Sequence, residues 1–141
     1  MLRVEEKLQS SRIRLEALEE LLSVLSELNK RIPIIVEGKR DVLALRALGF
    51  EGELLQVHSG KGLYEFSEEV HERFKEVLLL IDWDQRGEAL YESLGELLSG
   101  LWERYSSFRE TLKVLSRNEI FEIEAIPDLI ERLRSQCELQ D

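Results

Sequence analysis

Apolar residues recur at three- and four-residue steps through the first part of the chain. Val4, Leu8, Leu15, Leu18, Leu22, Leu25 and Leu28 are separated by Glu, Lys and Arg. This period is that of one face of an α-helix, so residues 3–30 are predicted to form one long amphipathic helix. Ser11 interrupts the stripe, which favours packing on the chain's own sheet over a continuous coiled-coil seam. Pro33 ends the helix and opens a new element.

Beyond Pro33, short apolar runs alternate with helical stretches. Ile34-Ile35-Val36 is a β-branched run suited to a strand buried on both faces. A short helix is predicted over Asp41–Leu48, closed by Gly49. Leu54–Val57 reads as a second strand, Ser59-Gly60-Lys61-Gly62 as a turn, and Leu63–Phe74 as an acidic amphipathic helix. Val77–Ile81 is the third strand and Gly87–Leu98 the next helix. Residues 101–118 read as helical. Phe121, Ile123 and Ala125 alternate with Glu122 and Glu124, which suits a short strand, and Pro127 opens a last helix. Strand and helix alternating at this spacing predict an α/β fold. It is an open, mainly parallel, doubly wound sheet with right-handed crossovers, flanked by helices and carrying the long N-terminal helix. The division expected is an amphipathic helix over 1–31 packed on a domain spanning 32–141.

Composition narrows the class. A chain of 141 residues, 43 % hydrophobic and 34 % charged, can bury a core without disulfides or metal staples. The longest apolar run, Val77–Ile81, is too short to cross a bilayer. The start, with Arg3, Glu5, Glu6 and Lys7, has no apolar signal core, and Cys137 is the only cysteine. Both features predict a cytoplasmic protein without membrane association. Abundant Glu, Lys and Arg would also suit a thermophile. The net charge is −10 and lies almost wholly in residues 63–141, whereas residues 31–62 are near neutral. The chain lacks the broad basic face of a generic nucleic-acid binder, so any polyanion must be met locally, with help from a bound cation.

Ligands of an open parallel sheet bind beyond the carboxyl ends of its strands. Glu37-Gly38-Lys39-Arg40-Asp41 follows the first strand, and Asp82-Trp83-Asp84-Gln85-Arg86-Gly87-Glu88 follows the third. The chain has twenty-four glutamates but five aspartates, and three of the five lie in these two segments. Asp82 and Asp84, two apart, project to one side in extended geometry. Carboxylates this close need a cation or a proton between them, and Mg²⁺, a hard ion, is the natural partner, with Mn²⁺ as a substitute. His58 and His71 share no metal-like spacing with the cysteine.

Val36-Glu37-Gly38-Lys39-Arg40-Asp41 and Leu79-Leu80-Ile81-Asp82-Trp83-Asp84-Gln85-Arg86-Gly87-Glu88 together resemble the Toprim domain, the metal-binding module of topoisomerases and bacterial-type primases. The resemblance covers about residues 32–126. Its small size is similar to that of stand-alone Toprim proteins, including uncharacterised archaeal ones and the ribonucleases that mature 5S ribosomal RNA. It implies Glu37 as general acid/base, also placed to help hold the metal, and Asp82 and Asp84 as Mg²⁺ ligands. Two positions depart from the family pattern: Trp83 stands where many relatives have Pro, and Arg86 stands before Gly87 where primases favour a small residue.

The expected function is a Mg²⁺-dependent enzyme acting on nucleic-acid phosphodiesters, a nuclease on structured RNA or DNA. Lys39, Arg40, Lys61 and Arg86 are its candidate phosphate contacts. Gly38 is read as letting the backbone turn close to the ion, Asp41 as a helix N-cap, and Glu88 and Glu124 as candidates to extend the acidic site. The alternative is a non-catalytic, metal-dependent nucleic-acid or protein interaction module. The long helix would then offer a surface for a protein partner or a second copy.

Overall fold

The computed structural model describes residues 4–138, with side chains from Ser10 onward. The long helix is α1 (Val4–Asn29), ending in a turn ahead of Pro33. Three parallel strands follow, β1 (Ile34–Val36), β2 (Leu54–Gln56) and β3 (Leu78–Leu79), in the order β2-β1-β3. Helix α2 (Lys39–Ala47) joins β1 to β2, and α3 (Leu63–Arg73) joins β2 to β3. Helices α4 (Gln85–Leu97), α5 (Ser106–Ser116) and α6 (Ile126–Glu138) complete an α/β fold around a small parallel sheet.

Strand pleating sorts the core into two layers. Ile34, Val36, Leu78 and Leu80 face one side, with leucines of α1, Leu45 of α2, and Leu129 and Leu133 of α6. Ile35, Leu79 and Ile81 face the other, against Phe66 and Val70 of α3 and Leu94 of α4. The stripe of α1 is therefore buried in the chain's own core through Leu15, Leu18, Leu22 and Leu25, chiefly against α6 and α5. Val4 and Leu8 of that stripe lie outside the described side chains.

Two buried polar residues lock α1 in place. The Arg14 guanidinium donates to the carbonyls of Leu115 (2.5 Å) and Ser116 (2.8 Å) and pairs with Glu119 (3.0 Å). It thereby adds donors to carbonyls at the C-terminal end of α5, where the helix's partial negative charge lies. Asn29 donates to the carbonyls of Ile32 (3.2 Å) and Glu53 (3.0 Å) and accepts from the Gly52 amide (2.9 Å). Gly52 has no room for a side chain here, since a Cβ would fall 1.8 Å from the Asn29 carbonyl oxygen.

Several expectations are corrected. Residues 119–126 form no strand: the backbone is extended at Glu122 and then turns into a 3₁₀ helix over Ile123–Ala125. The reason is that the Ile123 amide donates to the Asp82 side chain (2.8 Å) instead of to a neighbouring strand. The third strand is paired only over Leu78–Leu79, although Val77–Ile81 is buried throughout. Helices α2 and α4 each start two residues earlier than expected, on Gly38 and Asp84 as caps. The stretch 101–118 opens with a 3₁₀ turn, Glu103–Tyr105, before α5 begins. Among the described residues, no helix is long and apolar enough to cross a membrane.

Replacing Asn29 with Ala removes three hydrogen bonds and strands buried backbone groups. It should lower stability by about 2–3 kcal/mol, measured by urea unfolding.

Candidate functional site

Helix α2, which follows β1, packs on one face of the sheet, and α4, which follows β3, packs on the other. The loops following β1 and β3 diverge, opening a crevice at the carboxyl ends of these strands. Glu37 enters it from β1 and Asp82 from β3. The Asp82 amide donates to Glu37 Oε2 at 3.3 Å, across 45 residues of sequence. The Glu37 side chain is 12 % exposed. Burial pushes the Asp82 carboxyl up to about 7. A hydrogen bond with the Glu37 side chain and the charges of Glu37 and Asp84 act in the same direction, while the Ile123 amide opposes them.

Further acids line the same crevice. Asp41 is almost fully buried, and its carboxyl is raised to about 6 by burial and then by the Asp82 charge, with a smaller contribution from Glu124. It is not the N-cap of α2. It occupies the third helical position and accepts from the amide of Gly38, the capping residue (3.0 Å). Glu122 is raised by burial, by a hydrogen bond with Glu124 and by the charges of Glu124, Asp82 and Asp84. The sequence reading gave Glu122 no role; its signal was that its neighbours Phe121, Ile123 and Ala125 alternate apolar with it.

Asp84 accepts the Gly87 amide at 2.6 Å and is the N-cap of α4, which occupies one of its two oxygens. Gly87 is required at its position, because a Cβ would come within 2.2 Å of the Asp82 carbonyl oxygen. At Gly38 the opposite holds. Its backbone is extended and an added Cβ would touch nothing, so the expected role for this glycine is not supported.

Two residues hold the Asp-x-Asp loop in place. Trp83 is a core wedge. Its indole donates to the Ile120 carbonyl (2.9 Å) and its amide to that of Phe121 (2.8 Å), which brings Glu122 and Glu124 to the crevice. Arg109, 1 % exposed, was missed by the sequence reading. It donates to the carbonyls of Ile81 (2.7 Å) and Asp82 (2.7 Å), and its guanidinium lies 3.8 Å from the Tyr91 ring centroid. Its signal in the sequence was a charge in register with Leu112 and Ser116 on the buried face of α5.

The remaining candidates fall in different places. Lys39 and Arg40 begin α2 and Arg86 lies in the first turn of α4. All three are exposed and form no ion pair among the described residues. Lys61 is exposed and paired with Glu69 of α3. Glu88 belongs to another cluster: burial works against it, but hydrogen bonds from Lys113 and Arg109 lower its pKa. The neighbours of its carboxylate are therefore cations, not the crevice acids. His58, 59 % exposed, stands 3.9 Å from Glu37 Oε1 because its amide donates to the Glu37 carbonyl at the end of the β1–β2 ladder. His71 contacts the Leu97 carbonyl at 2.9 Å, and Cys137 is half-buried.

The donor chemistry of the crevice suits a hard cation. It is all carboxylate oxygen, and several groups are held above their ordinary pKa by crowding and burial. Among the described residues, however, no three His, Cys, Asp or Glu side chains converge as a ready-made ligand set. Glu37 and Asp82 meet, while Asp84 is turned toward its helix.

The chain is 40 % identical over 133 residues to a UPF0292 protein of Methanosarcina barkeri, an alignment covering 90 % of each. It belongs to the UPF0292 family. A UPF0292 protein of Methanosarcina acetivorans is 40 % identical over 129 residues, spanning 89 % of this chain and 88 % of that one. The UPF0292 protein of Methanocaldococcus jannaschii is 39 % identical over 110 residues, 75 % of this chain and 80 % of its own. Among solved structures, a putative protein from Aquifex aeolicus is similar to this UPF0292 chain with a TM-score of 0.63 and 31 % identity, covering 76 % of this chain and 95 % of its own. No family model matches the chain.

Asp82 and Asp41 bind protons more tightly in the folded than in the unfolded chain, so folded stability falls as pH rises from about 4 through about 7. In metal-free buffer at pH 8, Asp82→Asn should therefore stabilise the protein by about 1–2 kcal/mol, after allowance for solvent screening of this half-buried group. At pH 5 the gain should shrink to well under half, since the folded Asp82 then already carries its proton and only the cost of protonating the unfolded chain's Asp82 remains. Melting curves at the two pH values check this, and an equal gain at both would contradict the raised pKa.

Proposed function

We propose that this UPF0292 protein is a Toprim-like, divalent-metal-dependent enzyme acting on nucleic-acid phosphodiesters, a nuclease on structured RNA or DNA. The observation that carries the proposal is that the Glu37 carboxylate, from one strand exit, accepts the backbone amide of Asp82, at another, at 3.3 Å, with further acids close by. Glu37, Asp82 and the oxygen of Asp84 that the helix cap leaves free would hold Mg²⁺ or Mn²⁺. Bound there, the ion would supply charge compensation and polarisation of a phosphoryl oxygen. Glu37, largely shielded but reachable, exchanges a proton at its carboxyl with the attacking or leaving oxygen. Cations in the first turn of a helix oppose its macrodipole, yet Lys39, Arg40 and Arg86 all occupy such positions beside the crevice. An incoming phosphate would offset that opposition.

A second reading is favoured by Asp84, whose cap hydrogen bond accounts for the residue without a catalytic role. On that reading the crevice is a non-catalytic, metal-dependent interaction module.

Glu37→Gln should reduce Mg²⁺-dependent cleavage of a mixed RNA and DNA panel by roughly 100-fold or more with the melting temperature kept. Cleavage at the wild-type rate would remove Glu37 from the chemistry. Asp84→Asn tests Asp84 as a metal ligand against Asp84 as a cap alone, because Asn caps a helix as well as Asp does but lacks the charge. The enzyme reading expects lost cleavage and weaker Mn²⁺ binding at unchanged stability. A pure cap expects no change in either.

A further inference from the structure

The opposite end of the sheet carries a feature that the carboxylate crevice does not use. Pro33 leads into β1, and Lys75 and Glu76 lead toward β3, so the residues around them lie at the amino ends of the strands. There Arg31, Arg73, Lys75 and Arg104 surround a cavity of about 510 Å³ together with Phe74 and Tyr105, over an apolar base that includes Leu28 and Pro33. This volume lies within the ~300–1,000 Å³ range of small-molecule sites. Two of the cations are held in place. Arg73 pairs with Glu53 at 2.8 Å and lies 4.7 Å from the Phe74 ring centroid. Arg104 pairs with Glu76 at 3.3 Å and lies 5.5 Å from the Tyr105 ring centroid. Arg31 and Lys75 are exposed and form no ion pair among the described residues. Four cations therefore face two carboxylates in a chain whose net charge is −10.

Helices α1 and α3 both end nearby, and cations past a helix end offset its partial negative charge of about half a unit. Two such half-charges leave the cavity still positive. They also do not explain why Arg104, from a third segment, joins it, nor why aromatic and apolar surface lies between the cations. Unpaired cations beside aromatic rings and an apolar base match a ligand with a phosphate and a flat ring. We infer that this cavity is a second, phosphate-recognising site that takes a nucleotide unit, with Arg31 and Lys75 receiving the phosphate and the Phe74–Tyr105 side receiving the base. The same chemistry is offered by a free nucleotide and by one unit of a nucleic-acid strand.

The test uses the full chain in EDTA, so that it reads binding at this cavity without metal or cleavage at the other end. Adenosine 5′-monophosphate is titrated by amide chemical-shift mapping, and a fluorescent twelve-residue oligothymidylate by anisotropy. The variants are Arg31→Ala/Lys75→Ala and a charge-matched control, Arg12→Ala/Arg132→Ala, which removes two exposed cations elsewhere. The expected result is binding of at least one probe, with shifts centred on residues 73–76 and 104–105, weakened roughly tenfold or more in the first variant and kept in the control. Binding of the mononucleotide identifies the free ligand, and binding of the oligonucleotide alone identifies the strand. The inference is overturned if neither probe binds, or if both double variants weaken binding equally, since the attraction would then be general charge.

Discussion

Strand β1 is hydrogen-bonded on both edges, and its register against β3 decides what the rest of the molecule can do. Ile34 stands opposite Leu78 and Ile35 opposite Leu79, and the ladder continues where the Leu80 amide donates to the Ile35 carbonyl at 2.9 Å. Two or three residues further on, both chains leave the sheet at the same height, one as Glu37 and the other as Asp82. A one-residue slip would turn each strand's buried side chains to the wrong layer, so packing of both layers enforces the register. The proximity of the two acids is thus a by-product of hydrophobic sorting, and the core carries the energy needed to hold like charges together.

That energy is applied through neutral or cationic intermediaries. Trp83 turns into the core between Asp82 and Asp84 and ties their loop to Ile120 and Phe121. Arg109 grips the carbonyls of Ile81 and Asp82 from behind, where its guanidinium faces main-chain dipoles. The acids are therefore placed largely by their backbone. The cations that balance the crevice within its own residues are few, and burial with mutual repulsion raises Asp82 and Asp41 instead.

Much of the fold was legible in the sequence because its signals are local. The leucine period of α1, the β-branched run of β1 and the strand-exit acids each sit within a few residues. What could not be read depends on partners distant in sequence. Residues 119–126 alternate like a strand, but their path is set by Asp82 and Trp83, about forty residues earlier. Asp84 suits equally a metal ligand and a helix cap, and only the Gly87 amide distinguishes the two. Arg109 looked like an ordinary helix-surface charge until β3 and Tyr91 supplied its surroundings. The basic cavity gathers residues from three separate segments, none of them conspicuous alone.

At Gly87 the first turn of α4 rests directly on the peptide carbonyl of Asp82, with no side chain between the two backbones. Helix and acid are consequently coupled as two touching main chains, and neither can shift far along that contact without carrying the other. This also turns the position into a marker. A homologous chain bearing any larger residue there must route its loop differently, and its second aspartate cannot be assumed to stand where this one does.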